Sequence, residues 1–220
     1  MPQETDKEQK KRLRETLKRL HLKYPEAVSA LHHRTPLEML VATILSAQCL
    51  DKTVNEVTPA LFKQYKTARD YARADQAELE HLIHRTGFFR NKAKNLIGMG
   101  KTLGEEFGGE VPQTMGELIR LPGVARKTAN VVLGAVWGIA EGVVVDTHVK
   151  RITYRLGLTE QTDPEKIEKE LMALLPQQEW IFYGEAIILH GRETCVARKP
   201  KCPVCGLEGV CPKVGVQSST

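Results

Sequence analysis

A lysine, an aspartate and four closely spaced cysteines are the residues of this 220-residue chain whose types and spacing can do chemistry. Lys127 lies in the stretch Leu121-Pro-Gly-Val-Ala-Arg-Lys-Thr-Ala-Asn130. Pro122-Gly123 must turn the chain there, and Ala129, Val132, Ala135 and Val136 then recur at helical spacing. The pattern starts a helix near Ala125 with Lys127 in its first turn. At that position the positive end of the helix dipole, together with partial burial, disfavours an ammonium, and a neutral amine is a nucleophile. The outward N–H groups of the same turn suit a phosphate. The plainer reading makes Pro-Gly a helix–helix turn and leaves Arg126 and Lys127 as surface charges.

Nineteen residues after Lys127, beyond Val143-Val144-Val145, comes Asp146-Thr147-His148, with Val149, Ile152 and Leu156 following at helical spacing. Asp146 therefore stands at a helix entrance, where an aspartate serves as N-cap. It is equally a carboxylate able to take a proton or to stabilise positive charge developing beside it.

Cys195, Cys202, Cys205 and Cys211 are separated by six, two and five residues in a tail interrupted by Pro200 and Pro203. Four thiolates this close make a metal site. Zinc is the general reading of such a set, and an iron–sulfur cluster is the alternative that spacing leaves open. Nothing near the first residues resembles a secretion signal, which argues against a disulfide framework. Arg198, Lys199 and Lys201 fall between the first two cysteines and form either a phosphate clamp or a solvated charge run.

The Leu121–Asn130 stretch, the Val-Val-Val-Asp-Thr-His148 segment and the 6-2-5 cysteine spacing together resemble the endonuclease III family of bacterial DNA glycosylases with an associated abasic-site lyase, over roughly residues 30 to 212. The resemblance implies an all-α, two-domain helix-hairpin-helix DNA glycosylase fold with a C-terminal [4Fe-4S] cluster loop. A helical bundle would occupy 29–140 and contain the helix-hairpin-helix at 114–137. The segments 1–28 and 141–212 would make a discontinuous cluster domain, with 213–220 as a disordered tail. The four cysteines then hold a [4Fe-4S] cluster rather than zinc.

By the same resemblance Lys127, whose position holds lysine in the bifunctional members, is the catalytic amine, and Asp146 faces it across a cleft. From the helix-start geometry, Gly123, Val124, Ala125 and Arg126 are the candidate DNA-backbone contacts, and Arg198, Lys199 and Lys201 are further candidates if their loop is a phosphate clamp. Again by the resemblance, Gln48, on a loop after the Leu37–Leu45 helix, fills the gap left by an extruded base, and Phe88 wedges between bases while Phe89 packs inward. The implied activity is removal of oxidised or ring-saturated pyrimidines from duplex DNA, then β-elimination at the abasic site through a Schiff base. Cys49 and Leu50 stand where small or hydroxyl residues are commoner in the family, a departure that bears on lesion preference. The alternatives are a monofunctional DNA glycosylase and a non-enzymatic DNA-binding module with structural zinc.

The elements that must position these residues follow from periodicity. Thr35-Pro-Leu-Glu38, Asp51, Asp75 with Glu78, Thr114 with Glu117, and Thr162-Asp-Pro-Glu165 each open a helix. Some ten helical segments emerge and no strand alternation. Lys7, Lys10, Lys11, Arg12, Arg14, Lys18 and Arg19 give the first helix a basic face opposite Leu13, Leu17 and Leu20. Apolar content of 41% and a net charge of +5 suit a cytosolic protein, and no apolar run reaches the length of a membrane span. The expected partner is double-stranded DNA carrying damaged pyrimidines or abasic sites. The expected setting is the bacterial cytoplasm, at the nucleoid in use, as a monomer.

Overall fold

A computed structural model of the chain describes residues 6–220, so Met1 to Thr5 of the expected 1–28 segment lie outside the described residues. These form eleven α-helices and no strand: α1 Asp6–Lys23, α2 Pro36–Ser46, α3 Asp51–Gln64, α4 Ala68–Ala72, α5 Gln76–Ile83, α6 Phe89–Glu106, α7 Met115–Leu118, α8 Arg126–Trp137, α9 Thr147–Arg155, α10 Pro164–Leu174 and α11 Trp180–Glu193. None is long and apolar enough to cross a membrane.

Side-chain caps explain where most of them begin. Thr35, Thr67, Asp75, Thr114, Asp146 and Asp163 each accept a hydrogen bond from an amide in the first turn of the helix that follows. Removing one such cap costs about 1 kcal/mol. Asp51 is the first residue of α3 rather than its cap, with Leu50 preceding it, and within Thr162-Asp-Pro-Glu165 it is Asp163 that caps α10.

The chain divides into two compact units, Ser29–Glu141 on one hand and, on the other, the segments before and after it, through Val28 and from Gly142 to Thr220. Each has its own core. In the first, Met39, Leu40, Val41, Leu45, Leu61, Leu79, Leu96 and Met99 are essentially inaccessible to solvent. The centre of this core is α2, buried on every side from Met39 to Leu45, with α3, α6 and α8 packed around it. In the second, Leu13, Leu17 and Leu20 of α1 pack with Val149, Ile152, Tyr183 and Ile187 of α9 and α11. Of the basic side chains on α1, Arg12 and Arg19 are spent on the carbonyls of Leu156, Gly157 and Gly206, while Lys7, Lys10, Lys11, Arg14 and Lys18 face solvent.

Gly191 lies inside α11; a Cβ there would sit 2.6 Å from His148 Nδ1 and 2.9 Å from Ile152. Its role is to let α11 and α9 approach closely. Residues 213–220, read as disordered, are tied down instead. Val214 N–H donates to Arg155 O at 3.0 Å, Thr220 N–H donates to Pro200 O at 3.1 Å, and Lys213 pairs with Glu208.

Two glycines of α6 give opposite expectations for the same change. A Cβ on Gly100 would lie 2.6 Å from Ala68 O and Ala72 N of α4, whereas one on Gly104 meets nothing within 4 Å. An exposed helical glycine replaced by alanine gains about 1 kcal/mol from propensity, and overpacking against backbone costs about 1–3 kcal/mol. Gly104→Ala should therefore raise the denaturant midpoint and Gly100→Ala should lower it, as chemical unfolding would show.

Candidate active site

The hairpin ahead of Lys127 is built from short turns. Thr114 Oγ1 accepts from Glu117 N–H and opens α7, which ends at Leu118. Amides of Arg120, Leu121 and Val124 then bond to carbonyls three residues back, tightening the chain into Pro122-Gly123. Gly123 has φ of +81°, and a Cβ on it would lie 2.9 Å from Asn95 Cβ; a Cβ on Gly98 would meet the Pro122 ring at 3.1 Å. The turn is thus seated on α6, with Leu121 and Val124 buried beneath it. Val124, expected to contact the DNA backbone, is poorly placed to do so, because its side chain is buried and its N–H is bonded to Leu121 O.

Lys127 is the second residue of α8, and its side chain is exposed, as are Ala125 and Arg126. The partial burial expected for it is not observed. The buried stripe of α8 is Ala129, Asn130, Val132 and Leu133, and Lys127 stands two residues, about 200° around the helix, from Ala129. What remains of the argument for a reactive amine is its place at the dipole's positive end. Arg126 donates from Nη2 to Glu141 O at 3.2 Å.

Asp146 is half-buried and caps α9. Its Oδ1 accepts from both His148 N–H and Val149 N–H, each at 2.8 Å, so Oδ2 takes no part in the cap. One carboxylate can therefore fix a helix and still present an oxygen to a reaction. Burial, opposed by Asp146 and reinforced by Arg151, holds the His148 imidazole below its ordinary pKa, and Arg151 Nη2 lies 3.2 Å from its Nδ1.

Gln48 and Phe88 are both exposed, Phe88 to 62%, and both have left-handed backbones, φ +53° and +48°. Phe89 turns inward against the core, with His84 at 4.5 Å between ring centres, so the two aromatics separate as expected. A left-handed non-glycine residue costs about 1–3 kcal/mol and persists only where its surroundings impose it. The described residues contain four, Gln48, Phe88, Lys199 and Lys213. Three of them are expected DNA contacts. Between Gln48 and α3, Cys49 is half-buried rather than fully enclosed, and Leu50 is 76% exposed.

The cysteines line one cavity together with Ile152, Arg155 and His190. Two N–H donors point at sulfur: Arg155 Nη1 lies 3.3 Å from Cys195 Sγ, and Leu207 N–H donates to Cys205 Sγ at 3.4 Å. His190 Nε2 is 3.5 Å from Cys205 Sγ, and burial pushes this imidazole down to about 4, which keeps it neutral. Burial and the neighbouring cysteines raise the Cys205 and Cys211 thiols. Thiolates crowded this way need a cationic centre, and donors aimed at sulfur are what ligated thiolates receive. The set fits a cluster, although among the described residues no three His, Cys, Asp or Glu side chains converge on a single-ion centre. Arg198, Lys199 and Lys201 on the same loop are all exposed.

Two residues escaped the sequence reading. Arg155, mostly buried on α9, donates to the carbonyls of Val196 and Ala197 at 2.8 Å each and so shapes the start of the cysteine loop. Lys92, 4% exposed, donates to Leu45 O and Thr86 O at 2.8 Å each. Without it two enclosed carbonyls would lose their partner, at about 1–3 kcal/mol apiece. Lys92 reads as one of a run of surface charges with Arg90 and Lys94. Its spacing to Leu96, Met99 and Leu103 nevertheless puts it on the buried face of α6, and that was the available signal.

The chain is similar to known proteins over most of its length. The family model of the HhH-GPD superfamily base excision DNA repair protein matches residues 41–177. The chain is 57% identical to endonuclease III of Synechocystis over 92% of its length and 93% of the relative's, and 43% identical to that of Bacillus subtilis over 86% of each. It superposes with a TM-score of 0.88 on a solved structure of a trapped endonuclease III–DNA covalent intermediate, an estranged-adenine complex, at 41% identity, covering 93% of this chain and 96% of that one. The chain belongs to the endonuclease III family, within the HhH-GPD superfamily of base excision DNA repair proteins.

Proposed function

We propose that this DNA glycosylase of base excision repair removes oxidised or ring-saturated pyrimidines from duplex DNA and then cuts the strand at the abasic site, using Lys127 and Asp146 on one extruded nucleotide. The observation that carries the reading is the exposed amine of Lys127 at the start of α8, in a chain 41% identical to one trapped covalently on DNA.

A damaged nucleotide inside the stack is out of reach, so it is turned out of the duplex at a cost of roughly a few kcal/mol, less where damage has already weakened pairing. Gln48 and Phe88 occupy the space left behind. Backbone amides of Gly123, Ala125 and Arg126, at the dipole-positive start of α8, hold a phosphate next to the lesion. The Lys127 Nζ lone pair then forms a bond to the sugar C1′ while the bond from C1′ to the base breaks, its electron pair leaving with the base. Asp146 Oδ2 accepts the amine proton and stabilises cation-like charge on the sugar. Ring opening gives a Schiff base between Lys127 and C1′. Loss of a C2′ proton expels the 3′ phosphate, cutting the strand on the 3′ side of the sugar, and water releases the enzyme.

Cys195, Cys202, Cys205 and Cys211 would hold a [4Fe-4S] cluster, whose iron–sulfur bonds would cross-link the loop and fix the backbone carrying Arg198, Lys199 and Lys201. Those three exposed cations then bind phosphates without reading sequence. The protein acts as a monomer in the bacterial cytoplasm.

Lys127→Ala should reduce strand cutting on a ring-saturated thymine duplex by roughly a thousandfold, about 4 kcal/mol of lost transition-state stabilisation, with duplex affinity kept. Unchanged cutting in gel-resolved single turnovers would end the lysine assignment, and base release without cutting by the natural protein would make it monofunctional. Asn caps helices about as well as Asp, so Asp146→Asn should leave the unfolding free energy within a few tenths of a kcal/mol while slowing turnover at least about tenfold. Equal losses in stability and rate would reduce Asp146 to a cap. For the cysteine loop, Arg155→Met should lower the iron retained per chain and the visible absorbance. A colourless natural protein carrying zinc would contradict the cluster.

A further inference from the structure

The structure points to a tie between the two turns that carry Gln48 and Phe88, and we propose that Lys92 is the positioning residue that makes it. Lys92 Nζ sits between the carbonyls of Leu45 and Thr86, 2.8 Å from each, and the side chain is enclosed. Both carbonyls terminate helical elements. Leu45 is in the last turn of α2, and the amide of Cys49, which would reach Leu45 O if the helix continued, donates to Ser46 O instead. Thr86 is the last residue of a 3-10 turn, His84–Thr86, ahead of Gly87. Terminal carbonyls of this kind need an outside donor, and a cation suits the negative end of a helix.

Each carbonyl lies just ahead of a left-handed residue: Leu45 three positions before Gln48, and Thr86 two before Phe88. The same lysine closes the arrangement from the third side, because its own N–H donates to Phe88 O at 3.0 Å and so sets the first turn of α6. One amino group therefore ends α2, ends the 3-10 turn and, through its backbone, starts the helix behind Phe88. Burial lowers its pKa, but a neutral amine keeps two N–H donors and serves both carbonyls. Lys92 is too enclosed to touch DNA or to act as a nucleophile. Its work is to make the two exposed side chains enter the duplex in one fixed relation.

This proposal rests on the assignment of Gln48 and Phe88 as the side chains that fill the vacated space, and the test separates the two. Single-turnover cutting is measured for the natural protein, Phe88→Ala, Lys92→Met and the double variant. The substrates are a duplex with one ring-saturated thymine and a single-stranded oligonucleotide with one abasic site, where no partner strand needs to be held apart. Lys92→Met should lose roughly tenfold to a hundredfold on the duplex and less than about twofold on the single strand, and the double variant should be no worse than the poorer single one. Fluorescence of 2-aminopurine placed opposite the lesion should fall in the same variants. Equal losses on both substrates, or losses that multiply in the double variant, would overturn the proposal. If Phe88→Ala and Gln48→Ala leave duplex cutting unchanged, the assignment beneath it fails instead. Should Lys92→Met not fold, Lys92→Arg keeps the charge while displacing the donors, and the same selective loss on duplex is required of it.

Discussion

Backbone groups at the ends of helices must find partners outside the helix, and this molecule places nearly all of its candidate chemistry where that constraint acts. Phe88 immediately precedes α6, Lys127 is the second residue of α8, and Asp146 caps α9. Amides at a helix start are short of acceptors and lie at the positive end of a dipole, so an anion, a phosphate or a neutral amine is favoured there over a cation. The hairpin from Leu118 to Arg126 turns this general property into a surface. Gly123 takes a backbone that other residues resist, Pro122 packs over Gly98, and buried Leu121 and Val124 hold the turn so that Ala125, Arg126 and Lys127 face outward.

Asp146 illustrates how such a group can serve two ends without compromise. Its Oδ1 carries both cap hydrogen bonds and Oδ2 carries neither. A carboxylate used this way cannot rotate freely, because rotation would break two amide bonds. Its second oxygen is held in place by the same interactions that start α9. The cysteine loop follows a comparable economy: Arg155, anchored on α9, donates to three successive residues at the loop's start, Cys195, Val196 and Ala197, while its own carbonyl accepts from Val214.

What could be read from the sequence was mostly local. Caps at Thr35, Asp75, Thr114 and Asp146 show through because a hydrogen bond spanning three residues depends on little else. The division of Phe88 and Phe89 between solvent and core came from the family resemblance, since adjacency at a helix junction says only that the two rings cannot share one face. The all-α class and the cysteine spacing needed no long-range information. Features set by distant contacts were hidden. Gly191 is required by His148 and Ile152, which are distant in sequence. Lys92 looked like a surface charge because its acceptors lie on other elements, and the burial of Val124 depends on a core to which the turn contributes only its edge. The partial burial expected of Lys127 is absent, because it lies on the face of α8 away from the Ala129 stripe.

The central claim is that one specific amine, at the start of α8, bonds to the sugar of damaged DNA. Its most direct test is to reduce the natural protein with borohydride during reaction on an abasic duplex, digest the cross-linked product, and sequence the modified peptide by mass spectrometry. A single adduct on Lys127 is the predicted result. An adduct on any other lysine or on the amino terminus, or strand cutting with no adduct at all, would contradict the account.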